Sequence, residues 1–200
     1  MEAPNENVKK MLETVHAAHE CIAFLQTALL QNSPTPLKAC REKTAFIKKA
    51  DTELTGKITR LAKEDPAYRV YLSGPQLLSR IGENIEKLDE TVSRKIKDDI
   101  LFSDRAVSEL TILFRRLGEI LKSTADLLET RNQVLIRHIG ECEEDVVKKA
   151  LEYATHHEER LIEGLCQPVA SSYFLNMLNA IRCIAWDAKE IAAKFAEKHA

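Results

Sequence analysis

The sequence predicts an all-α protein, six long antiparallel helices forming two tandem three-helix bundles, and two observations carry that reading. Glycine and proline number only six each in 200 residues, while 44% of residues are apolar and 30% charged, which is poor material for many turns and strands. Apolar residues then recur at intervals of three and four through six segments, the spacing that lines one face of an α-helix.

The first helix is expected from about Asn5 to Gln31, with Val8, Met11, Val15, Ile22, Leu25 and Leu29 on one stripe. The breaker NSPTP (residues 32 to 36) ends it. Thr35 followed by Pro36 reads as a cap and an N1 proline, opening a second helix with Cys40, Ile47, Ala50, Leu54, Ile58 and Leu61 inward. Asp65-Pro66 closes it. After the short piece AYRVYL and Ser73-Gly74-Pro75, a third helix carries the cleanest stripe: Leu78, Ile81, Ile85, Leu88, Val92 and Ile96.

Ser103 or Asp104 can cap a fourth helix bearing Ala106, Leu110, Leu113, Leu117, Ile120 and Leu127. With no Gly or Pro to mark its end, the turn into the fifth is placed at Thr130 to Asn132 on capping chemistry alone. The fifth runs through Ile139, Val146, Ala150 and Leu161 to Gly164. EGLCQPVASS then leads into a sixth with Phe174, Leu178, Ile181, Ala185, Ala188, Ile191 and Phe195 inward. Helices of this length on short connections pack as antiparallel bundles.

The helices divide three and three. Residues 5 to 98 and 103 to 199 have nearly equal lengths, which sets expected bundles at 1–100 and 101–200. Each ends in an apolar helix rich in small residues, RIGENIEKLDETV from Arg80 and CIAWDAKEIAAKF from Cys183, a pattern that a divergent internal duplication would leave.

Charge narrows the function classes. Lys and Arg total 29 against 31 Asp and Glu, with the signs interspersed, so there is no basic footprint for nucleic acid. The start, MEAPNENVKK, lacks the apolar run of a signal peptide, and no stretch approaches the roughly 20 apolar residues that cross a bilayer. A soluble, cytoplasmic protein, peripheral to a membrane at most, is expected. Cys21, Cys40, Cys142, Cys166 and Cys183 are scattered, form no CxxC pair and read as small buried hydrophobes in a reducing compartment.

Residues 157 to 192, HEERLIEGLCQPVASSYFLNMLNAIRCIAWDAKEIA, resemble the last two helices of PhoU domains, including those at the cytoplasmic ends of sodium-phosphate cotransporters. In that family a helix closing in His-x-Glu-Arg-Leu precedes a Gly-containing turn, and the final helix carries Leu-Glu-Arg-Ile-Ala/Gly-Asp-His-Ala-x-Asn-Ile-Ala. His157, Glu159, Arg160 and Leu161 match the first part; Ile184, Ala185, Ala188, Ile191 and Ala192 match the second. RIGENIEKL from Arg80 resembles the same signature in the first half, and KKADTELTGKI around Asp51 resembles the family's second helix.

The resemblance implies a PhoU-like regulatory adaptor in phosphate transport or phosphate signalling, acting by protein–protein contacts on a phosphate transporter or an associated sensor kinase. It also implies carboxylates four apart on one helix face, which bridge hard cations such as iron or manganese. Carried over, these are Glu83 and Asp51, with Glu141 and Asp145 as a further pair. The chain departs from the family at the signature carboxylates: the Glu and Asp positions hold Ser79 and Glu83 in the first half, and Arg182 and Trp186 in the second.

Other constellations have competing readings. For Glu141 and Asp145 the preferred reading is a solvated acidic face supported by Lys148 and Lys149. His156 and His157 are adjacent and point about 100° apart on a helix, whereas His16 and His19 share a face, the basis of an alternative metal-storing or redox bundle. Trp186 and Tyr173 lie off the core line and leave room for a homodimer. Ser73-Gly74-Pro75 lacks the spacing and the Lys-Ser/Thr pair of a phosphate loop, and no nucleophile or kinase signature occurs, so the expected protein is not an enzyme. A third alternative is the cytoplasmic domain of a longer cotransporter.

Overall fold

The computed structural model describes residues 6–197. It contains six helices: α1 Glu6–Gln31, α2 Thr35–Glu64, α3 Ser73–Lys97, α4 Asp104–Thr130, α5 Val134–Ile162 and α6 Pro168–Glu197. A 3-10 segment, Pro66–Tyr71, bridges α2 and α3, and no strand occurs among the described residues. The starting point expected at Asn5 and the end at residue 199 lie outside the described residues.

The apolar stripes are the core. All the stripe residues named above are buried except Leu61, Ile96 and Leu161, which sit half-buried at helix ends. The buried side chains form one contiguous cluster through both halves of the chain. Truncating a fully buried member such as Leu117 would cost about 2–5 kcal/mol.

Boundaries differ from expectation where capping chemistry is subtle. Thr35 is already helical, and its backbone N–H is met by the Ser33 hydroxyl at 3.4 Å, so Ser33 does the capping work expected of Thr35. α3 begins at Ser73, taking Gly74 and Pro75 into its first turn. Ser103 caps α4 by accepting from the Ala106 N–H at 3.3 Å. The turn at residues 130–132 forms without glycine: Arg131 adopts the left-handed conformation (φ 59°), and the Asn132 side chain accepts from the Val134 N–H at 3.1 Å. α5 stops at Ile162, short of Gly164, whose φ of 71° ends the helix in a left-handed turn.

Helices α1, α2 and α3 pack on one another, as do α4, α5 and α6, and the two sets meet where α1 lies on α4 and α3 lies on α6. Helices α2 and α5 do not touch, nor do α3 and α5. One end of the molecule gathers the α1–α2, α3–α4 and α5–α6 connections: Lys95 donates to Asn32 at 2.7 Å, Tyr173 donates to Asp98 at 2.8 Å, and Phe102 meets Phe174 edge-on at 6.1 Å. The opposite end carries the 3-10 segment, whose Tyr71 packs on Phe195 at 6.5 Å. Gly82 lets α3 approach α2, since a Cβ there would stand 3.0 Å from Ile47 Cγ2.

Candidate functional site

The α3–α6 seam brings the two signature-like segments together. Ile81, Ile85 and Leu88 of α3 and Ile184, Ala188 and Ile191 of α6 are buried, and Ala185 and Ala192 keep the α6 face low. Asp187 falls on that same buried face, three residues after Ile184 and four before Ile191, and its side chain is wholly inaccessible.

Arg80 of α3 supplies the countercharge. Its Nη2 stands 3.1 Å from Asp187 Oδ1, and its guanidinium lies over the Trp186 ring with 5.0 Å to the centroid. Neither oxygen of Asp187 accepts a hydrogen bond from any described residue, so the Coulombic contact is all that offsets its burial. Burial pushes the Asp187 carboxyl up to about 6; Arg80 pulls it down, and the fields of Glu190 and Glu83 push it up again.

Glu83 is exposed on α3, one turn beyond Arg80. Asp51, on α2, accepts from its own helix's Thr55 hydroxyl at 3.4 Å. On α5, Glu141 pairs with Arg137 at 2.7 Å, and Asp145 lies between Arg116 at 3.2 Å and Lys149 at 2.9 Å. Because α5 touches neither α2 nor α3, Glu141 and Asp145 stand apart from Asp51 and Glu83. Among the described residues no group of three or more His, Cys, Asp or Glu is placed to hold a metal ion. Arginines and a lysine pair with Asp187, Glu141 and Asp145.

The histidines divide as their helical spacing requires. His157 is buried, shares a hydrogen bond with the Ser171 hydroxyl at 2.9 Å and stacks on Phe174 at 4.9 Å, while His156 turns toward Glu109 at 3.5 Å. Burial and the neighbouring Arg160 charge hold His157 below the ordinary imidazole value. His16 is exposed, and His19 is half-buried and lowered chiefly by desolvation. Cys21, Cys40 and Cys142 are buried as expected, with Cys21 donating to the Cys40 carbonyl at 3.4 Å; Cys166 and Cys183 are only partly covered.

Four buried carboxylates carry no separate signal at the level of single residues: Asp187, Asp89, which accepts from Arg41 at 2.8 Å, Glu109, which Arg160 clamps through 2.9 and 2.8 Å hydrogen bonds, and Glu143, which accepts from Lys189 at 2.7 Å. Their common signal is an acidic residue in the apolar stripe. Glu109 lies three after Ala106, and Glu143 three before Val146.

Six up-and-down helices with a continuous core and a charged lock between the halves place the molecule among tandem helical-bundle proteins. The particular fold is PhoU-like: the crystal structure of PhoU from Pseudomonas aeruginosa is similar to this chain with a TM-score of 0.82 over 97% of this chain and 96% of that one, at 14% sequence identity. No family model and no curated protein matches the sequence. No helix among the described residues is long and apolar enough to cross a membrane.

Proposed function

We propose that this protein is a regulatory adaptor in phosphate transport or phosphate signalling, working by protein–protein contact on a phosphate transporter or its associated sensor kinase at the cytoplasmic face of the membrane. The observation that carries this reading is the likeness in fold to PhoU along nearly the whole of both chains. The buried ion pairs favour a rigid platform over a moving machine, since an ion pair held out of water tolerates little displacement of either partner.

The test joins genetics to capture. In a strain lacking the gene, phosphate uptake under replete conditions is expected to lose its normal repression and to regain it on complementation. Crosslinking in the same cells is expected to join the protein to a transporter subunit or a kinase. Unaltered uptake, with neither kind of component crosslinked, would remove the phosphate reading.

A further inference from the structure

At the end that gathers the α3–α4 and α5–α6 connections, a cleft of about 200 Å³ opens between them. Its floor is Phe102, Phe174, Ala106 and the His157 ring, held by the edge-on Phe pair, the His157–Phe174 stack and the Ser103 cap. At its mouth Leu101 and Leu165 are 66% and 64% exposed. Ile162, 87% exposed at the end of α5, and Val169, 50% exposed at the start of α6, flank the α5–α6 connection. Four large exposed aliphatic side chains on two adjoining connections and the helix ends that flank them are more than the scattered apolar residues usual on a surface.

The charge around this surface is one-sided. In the stretches 97–105 and 158–167 the exposed acids are Asp98, Asp99, Asp104, Glu158, Glu159 and Glu163, while the exposed bases are Lys97 and Arg105. Arg105 is already turned to Glu109 at 3.3 Å. A second copy of this chain would bring the same acidic rim against itself, and an anionic lipid leaflet would meet like charge.

We propose that this end is a preformed docking socket for an amphipathic segment of a partner protein, with a leucine- or phenylalanine-type anchor seated between Leu101 and Leu165 and lysines or arginines facing the acidic rim. The inference rests on the adaptor reading for the existence of a partner and adds the face and the chemistry of the contact. Helix-in-groove recognition works by this division, apolar anchors supplying affinity and the charged rim supplying orientation and on-rate.

The test uses the full chain and three fluorescent peptides of about 18 residues, roughly five helical turns: an amphipathic Leu/Lys helix, its Leu/Glu counterpart, and the Leu/Lys composition scrambled to destroy the apolar stripe. Anisotropy should show binding of the first alone, weakened roughly tenfold or more by Leu165→Asp or Ile162→Asp, about 1.4 kcal/mol or more. Val134→Asp, exposed at the opposite end, should leave it unchanged. Both sites are exposed, so circular dichroism should report a folded variant. Equal binding of the scrambled peptide, no binding, or indifference to both socket variants overturns the proposal. So does Leu165-dependent flotation with neutral phosphatidylcholine vesicles, or self-association abolished by Leu165→Asp. Peptide binding in a protein whose loss leaves phosphate uptake untouched would keep the socket and discard the phosphate reading; regulated uptake without peptide binding would do the reverse.

Discussion

Arg80 and Asp187, 107 positions apart in sequence, form an ion pair that joins the two halves of the chain along α3 and α6, and it is lopsided: the carboxylate is wholly buried, whereas the arginine side chain, lying over Trp186, is 42% exposed. The carboxylate therefore carries the desolvation cost, and the arginine offsets only part of it.

The sign of the pH dependence follows. Asp187 binds its proton more tightly folded, with a value of about 6, than unfolded, near 4. Its contribution to stability is greatest in acid and is lost as the pH rises between those values. Asp187→Asn should thus be more stable than the parent at pH 8, by roughly 1–2 kcal/mol, and equal to it near pH 4, in urea unfolding. A loss of stability at pH 8 larger than the loss at pH 4 would show that the ionised pair is net favourable.

Arg80→Met should destabilise most at pH 8, by roughly 1–3 kcal/mol, because it strands a buried charge. The loss should shrink at pH 5, where the carboxyl takes up a proton, and the double variant Arg80→Met/Asp187→Asn should recover most of it. Additive effects in that cycle would mean the two side chains act independently.

Glu109 and Arg160 make the better-formed pair, doubly hydrogen-bonded and almost wholly buried. Glu109→Ala leaves the guanidinium uncompensated and should cost about 3–5 kcal/mol. Replacing both by apolar residues should cost far less. Thermal unfolding of the three variants measures the difference.

His157 titrates with the opposite sense to Asp187. Being held below the ordinary imidazole value, it contributes stability that is present above the unfolded value near 6.5 and is lost as the pH falls through it. Amide exchange at residues 157–171 should speed up in mild acid, and His157→Leu should remove that pH dependence. Exchange that quickens equally in the variant would assign the effect elsewhere.

Metal content is directly measurable. Protein purified without a metal-binding tag after growth with iron, manganese and zinc is expected to hold well under one ion per chain and to unfold at the same temperature with and without EDTA. Stoichiometric iron or manganese lost on Glu83→Gln or Glu141→Gln would mean that these carboxylates exchange their present partners for an ion.

The helices were legible because burial acts on every third or fourth residue and leaves a redundant record: losing Leu61 or Leu161 from the buried set changes nothing. Helix ends rest on single hydrogen bonds, so Ser33 could stand in for Thr35, and Ser73 could start a helix before its proline, without disturbing the period. The charged locks were least visible. An acidic residue in an apolar stripe reads locally as a helix-surface residue shifted by one, and only tertiary packing reveals that Arg80, Arg160 or Lys189 comes from another helix to meet it.

The seam between α3 and α6 shows what covalent tandem construction permits. When the two signature-like segments are aligned, Arg80 corresponds to Cys183 and Asp187 to Asn84, so the mirror-image contact would join two uncharged residues. A symmetric pair of identical chains could not do this: each would present both an arginine and an aspartate, and the axis would generate the pair twice or bring like against like. Writing both halves into one gene frees one side of the axis to be acid and the other base, and so fixes which half faces which.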